Sequence, residues 1–204
     1  MARPTERFVT GLVLAAGGSR RLGEPKQLLP YGSGTLLDHA LETARASAFD
    51  QLIVALGGSS GEVRRRVDLS GADVVENPDF GEGCSSSIAA GLSAIDPRSE
   101  RMVLMLADQP GVTPANVRAL IAACDEDTAL AACLYDDGRG HPLAFGEPLF
   151  GDLRELHGDK AVWKLLEHRS GAAVVEARVP GPIPRDVDTR ADYEAVLAES
   201  GSSA

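Results

Sequence analysis

The residues best suited to chemistry in this chain stand just after its apolar runs. The stretch LVLAAGGSRRLGEPKQLLP (12–30) closes an apolar run on Gly17 and Gly18, then supplies Arg20, Arg21 and Lys26. Glycines let the backbone approach a ligand and turn several N–H groups toward one anion. Arginine and lysine add charge matched to phosphate oxygens. Ala15, Ala16, Gly17, Gly18, Ser19, Arg20, Arg21 and Lys26, with Leu14 just before them, therefore form a candidate phosphate-binding set. It is not a P-loop, because Gln27 follows Lys26, and it is not G-x-G-x-x-G either. A tight turn with a solvated basic flank is the plainer reading of the same residues.

Asp108, Gln109 and Pro110 follow the apolar run MVLMLA (102–107). An aspartate there can cap the next turn. It can equally hold Mg2+, which takes one or two carboxylates together with phosphate oxygens and water. Asp186 and Asp188 are two residues apart in PRDVDT. In extended chain they point to opposite faces, so only one can join Asp108 directly. Asp188 also precedes a helix cap, which gives it a structural alternative. In GEGCSSSI (81–88), Gly83, Ser85 and Ser86 at a helix start can receive a base or a phosphate. Cys84 suits packing before nucleophilic work. His141 has no neighbour in sequence that suggests a metal pair, and it suits substrate contact or structure equally. Ser87, His141 and Asp186 make a hydrolase triad on paper only, since no G-x-S-x-G turn exists.

The elements that must position these residues follow from apolar periodicity. Strands are expected near 8–15, 51–56, 72–77, 102–107, 129–134, 141–145 and 172–177. Helices are expected near 36–46, 60–67, 84–95, 113–124, 147–156 and 159–168, with a last one after 189. Thr113 and Pro114 are a strong helix start, and Thr189 with Asp192 has the spacing of a capping box. Alternating strand and helix predicts a three-layer α/β domain with a mostly parallel sheet, spanning 1–204 with a polar, frayed tail from about 199. Ligands then bind at the carboxyl ends of the strands, where the candidate residues lie.

Composition narrows the function. With 204 residues and 44% apolar content, the chain can bury a sizeable core. A net charge of -10 argues against a nucleic-acid binder and makes the basic loop stand out. No run is long enough for a membrane span, and MARPTERF lacks the apolar stretch of a signal peptide. Three cysteines without C-x-x-C spacing suggest neither disulfides nor zinc. A cytoplasmic protein, independent of membranes, is the expectation.

Taken together, LAAGGSRRLGEPKQLL, GEGCSSSI, LADQP, GHPLAF and DVDTRADY resemble the MobA-like nucleotidyltransferases, and most of all their molybdenum cofactor cytidylyltransferase branch. The first motif is similar to L-A-A-G-x-S-x-R-M-G-x-x-K-x-L-L, with Leu22 in place of Met. Where the family often carries G-D-x-G-A-R, this chain reads G-D-K-A-V-W-K, a departure that bears on the acceptor. The resemblance implies a Rossmann-like domain that moves a nucleotidyl group from NTP to an acceptor phosphate and releases pyrophosphate. It implies that the first loop, Gly83, Ser85 and Ser86 bind nucleotide, with Arg20, Lys26 and Asp108 catalytic. Asp108 and Asp188 would hold Mg2+, and Gln109 and His141 would contact substrate. It further implies CTP as donor, because cytidylyl enzymes tend to read L-A-A-G and guanylyl enzymes L-A-G-G. Molybdopterin is the implied acceptor, and a molybdoenzyme or its chaperone the implied partner. A sugar phosphate, phospholactate or methylerythritol phosphate acceptor is the alternative, as is a nucleotide-binding accessory protein without catalysis.

Overall fold

Strand β1 (Val9–Ala15) is an almost wholly buried apolar run because it lies mid-sheet, covered on both faces. The computed structural model describes residues 7–19, 21–158, 161–168 and 174–201. After β1 come a short ribbon, β2 (Pro30–Tyr31) and β3 (Gly34–Thr35), and helix α1 (Leu36–Arg45). Strand and helix then alternate through β4 (Gln51–Leu56), α2 (Ser60–Arg66), β5 (Asp73–Glu76), α3 (Cys84–Ser93), β6 (Arg101–Leu106) and α4 (Pro114–Ala123). The chain continues with β7 (Leu130–Tyr135), β8 (Gly138–Gly146), α5 (Phe150–Arg154), α6 (Ala161–His168), β9 (Val174–Arg178) and α7 (Arg190–Gly201).

One seven-stranded sheet has the order β5-β4-β1-β6-β8-β7-β9. The pairs β4–β5, β1–β4, β1–β6 and β7–β9 are parallel. Strand β8 runs antiparallel to both its neighbours. The cause is local. Tyr135 and Gly138 pair across a connection of only Asp136 and Asp137, and so short a link can only reverse the chain.

Side-chain alternation along β1 divides the core in two. Val9, Val13 and Ala15 meet Leu37 and Leu41 of α1, Val63 of α2, and Val117 and Leu120 of α4. Leu12 turns the other way, toward Ile88 of α3, Leu153 of α5, and Val162 and Leu166 of α6. The expected three layers result. A third cluster joins Leu29, Leu36 and Val187 to Tyr193 and Val196 of α7. It fastens the segments carrying Lys26 and Asp188 to one helix.

Helix starts follow their chemistry. Thr113 and Asn116 form a reciprocal capping box around Pro114. Asp192 Oδ2 accepts from the Thr189 amide at 2.8 Å and from its hydroxyl at 2.7 Å, and the Asp192 amide returns a bond to Thr189 Oγ1. Each such cap is worth about 1 kcal/mol. Helix α7 runs on to Gly201, so the segment from 199 expected to fray is helical over its first three residues. Among the described residues no helix is long and apolar enough to cross a membrane.

Candidate active site

Parallel register brings the sequence-distant loops together. Leu14 pairs with Leu106 and Ala15 with Leu56, so the chain leaves β1, β6 and β4 along one sheet edge. A cavity of about 690 Å3 opens there. It is lined by residues 14–19, Arg21, Lys26, Gln27, Phe80, Gly81, Gly83, Cys84, Ser87, residues 106–108 and Asp188.

Its charged centre is Lys26. The ammonium donates to Asp108 Oδ2, and to Asp188 Oδ1 at 2.9 Å. Arg21 Nη2 donates to the other oxygen of Asp188 at 2.7 Å. The side chains of Lys26 and Asp108 are 13% and 18% exposed, so solvent screens this pair weakly. Burial works to lower the Lys26 pKa, but the Asp108 charge and the bonds to both carboxylates outweigh it and hold the pKa above its ordinary value. For Asp188, burial works upward, while Lys26 and Arg21 outweigh it and hold the carboxyl below its ordinary value. Lysine is thus firmly protonated and Asp188 firmly ionised at neutral pH.

The first loop is held from beneath. Gln27, 3% exposed, donates through Nε2 to the carbonyl oxygens of Ala15 at 2.7 Å and Gly17 at 3.0 Å. Ser19 sits in the left-handed region at φ 48° and its hydroxyl oxygen accepts from the Lys26 amide at 2.9 Å. A Cβ on Gly17 would stand 3.3 Å from Lys26 Cε, so glycine there lets the lysine stem pass.

The candidate residues do not all converge. Leu14, Ala15, Ala16, Gly17, Gly18, Ser19, Lys26, Gly83, Asp108 and Asp188 line the cavity. Arg20 lies outside the described residues. Ser85 and Ser86 do not line it: Ser85 is buried, and Ser86 is bonded to the Gly83 carbonyl oxygen at 2.8 Å. Helical phase explains this, since Cys84 and Ser87, three residues apart, share the cavity face. Asp186 accepts from Gln109 Nε2 at 2.9 Å rather than bonding Lys26, and burial with the nearby Asp108 charge pushes its pKa up. Gln109 therefore braces the segment that carries Asp188 and is not part of the lining. Arg21, which stands at the arginine position of the first motif, lines the cavity, whereas the sequence expectation places Arg20 there; Phe80 lines it without a motif position.

His141 also stands back from the cavity, buried with its ring edge-on to Trp163 at 5.4 Å. Trp163 stands where the family pattern commonly has Arg, after Ala161 and Val162, which also depart from it. Burial pushes the His141 pKa down from 6.5 to about 4. The unfolded chain then binds the extra proton first, so stability is complete above pH 6.5 and falls as pH drops toward 4. The expected loss is roughly 3 kcal/mol at full protonation. His141→Gln should flatten the melting temperature between those limits, and an equally steep fall in that variant would acquit His141.

Asp108 and Asp188 offer hard oxygen donors suited to Mg2+ or Mn2+. Among the described residues no group of three or more His, Cys, Asp or Glu gathers to hold a metal. A cation at this pair would complete its shell with phosphate oxygens and water, as these ions commonly do in nucleotide sites, so the pair fits one.

The MobA-like NTP transferase domain profile matches residues 11–174. A crystal structure of Rv0371c from Mycobacterium tuberculosis H37Rv in complex with manganese aligns with a TM-score of 0.84 at 46% identity, covering 94% of this chain and 98% of that one. Nicotine blue oxidoreductase of Paenarthrobacter nicotinovorans is 34% identical over 143 residues, 66% of this chain and 69% of its own. The molybdenum cofactor cytidylyltransferase of Escherichia coli (strain K12) is 28% identical over 138 residues, 67% of this chain and 69% of its own. A molybdenum cofactor guanylyltransferase of Bradyrhizobium sp. is 31% identical over 212 residues, 98% of this chain and 95% of its own.

Proposed function

This chain belongs to the MobA-like NTP transferase family, and from there we propose that it moves the cytidylyl group of CTP to the phosphate of molybdopterin, releasing pyrophosphate. The observation that carries the reading is the meeting of Lys26, Asp108 and Asp188 beside the Gly17–Gly18 loop.

An acceptor phosphate oxygen attacks the α-phosphorus of the donor. The bond to the bridging oxygen breaks, and pyrophosphate leaves with the electron pair. The acceptor is already an anion at neutral pH, so no protein base is needed, and positioning with charge neutralisation supplies the rate. Backbone amides of the first loop receive phosphate oxygens. Lys26 neutralises the charge that shifts toward the leaving group, and Arg21 and Arg20 add to the field around the triphosphate. Asp108 and Asp188 would hold a divalent ion, Mg2+ in this reading, which would supply Lewis acidity and neutralise phosphate charge. The manganese complex of the Rv0371c structure supports a divalent ion in such a fold.

The two molybdenum cofactor relatives differ in base, so the donor rests on Ala16. Ala16 is buried and lines the cavity, and its methyl narrows the floor where a purine would need room. The product would pass to a molybdoenzyme or its chaperone in the cytoplasm. Wild-type protein given CTP or GTP with a panel of phosphorylated acceptors should release pyrophosphate fastest with CTP and molybdopterin. Ala16→Gly should move the CTP-to-GTP ratio toward GTP by about tenfold, since one methyl is worth about 1–3 kcal/mol. GTP preference in the wild type would reverse the donor assignment, and no pyrophosphate with any pair would remove the transferase reading.

A further inference from the structure

Gly57-Gly58, straight after β4, has no part in the chemistry above. Neither has Phe80, one of only five phenylalanines in a chain poor in aromatics. The structure joins them. A Cβ on Gly58 would stand 2.6 Å from Phe80 Cζ, and one on Gly57 would stand 3.0 Å from Phe80 Cβ. A Cβ on Gly18 would meet ring carbon Cε2 at 3.7 Å, an ordinary contact. A missing side chain at Gly58 is therefore what gives the ring its seat. Phe80 is nonetheless only half-buried, and it lines the cavity.

Successive glycines of the first loop have different neighbours. Gly17 faces the stem of Lys26 at 3.3 Å, whereas Gly18 faces Phe80. The loop thus separates a charged end, with Lys26, Arg21, Asp108 and Asp188, from an end whose lining residues, Phe80, Gly81 and Gly83, are uncharged. A nucleoside triphosphate has the same polarity. With its phosphates on the Lys26 side of the loop, its base falls on the Phe80 side.

We propose that Phe80, seated on Gly57 and Gly58, is the stacking platform for the base of the bound nucleotide. This rests on the nucleotidyl-transfer reading. Every base has a π-face, so the platform supplies affinity and aligns the sugar and α-phosphate without choosing among bases.

Isothermal titration calorimetry with CTP, GTP and inorganic tripolyphosphate, each with Mg2+, tests it. Phe80→Leu keeps an apolar plug but loses the π-face. It should raise Kd for both nucleotides about 5- to 100-fold and leave tripolyphosphate within about twofold. Gly58→Ala, at a position without positive φ, should do the same, because its Cβ pushes the ring from its seat. Equal weakening of tripolyphosphate and nucleotides would make the ring a structural support and overturn the proposal. Unchanged nucleotide affinity in Phe80→Leu would overturn it as well. Wild-type protein that binds neither CTP nor GTP would instead overturn the function on which it rests.

Discussion

Lys26→Ala lowers kcat for nucleotidyl transfer by a factor on the order of 10²–10³, the usual scale for losing one preorganised charge at a developing anion. KM for the nucleotide should move less, because the loop amides remain. The ammonium now lies between Asp108 and Asp188, so its removal leaves two half-buried carboxylates facing each other. Some loss of melting temperature is therefore expected, and kcat must be compared on folded protein. The same variant should bind Mn2+ more tightly than wild type in the absence of nucleotide, read by electron paramagnetic resonance. A variant with near-wild-type kcat would take Lys26 out of the chemistry.

The second large effect belongs to the carboxylates. Asp108→Asn and Asp188→Asn should each cut divalent-dependent turnover by about 10²-fold or more, as expected when several kcal/mol of transition-state charge stabilisation is lost. Asp108 sits just after β6 and Asp188 just before α7, both outside the apolar clusters, so circular dichroism should stay unchanged. Asp186→Asn is the control, since Asp186 is bonded to Gln109 and not to Lys26. Damage from Asp186→Asn with a silent Asp188→Asn would exchange their roles. Full activity in both Asp108→Asn and Asp188→Asn would end the two-carboxylate scheme.

What could be read in advance depended on whether the deciding contacts were local. The Thr113 cap and the Thr189–Asp192 box are written in nearby residues, and their geometry matches their chemistry. Alternation also separated Asp188 from Asp186, although it could not say which would face Asp108. That choice depends on residues about 150 positions away in sequence, where Val187 and α7 pack against Leu29 and Leu36. The reversal of β8 was present in the Asp136-Asp137-Gly138 turn but weighed less than the alternating pattern around it. Ser85 and Ser86 were legible as hydroxyls near a helix start, yet the cavity face is set by helical phase, which selects Cys84 and Ser87. Phe80 had no local signal at all, because its seat is built from loops that follow two other strands.

Gln27 has a thermodynamic consequence. A loop with two adjacent glycines would ordinarily sample many shapes, and a ligand binding to it would have to freeze them. The buried amide of Gln27 grips the carbonyl oxygens of Ala15 and Gly17 without any ligand. Folding has therefore already ordered the loop, with the carbonyl oxygens of Ala15 and Gly17 already bonded. Association with phosphate should be fast and carry little entropic penalty from the backbone. The glycines keep their value as close-contact residues without the looseness they bring elsewhere.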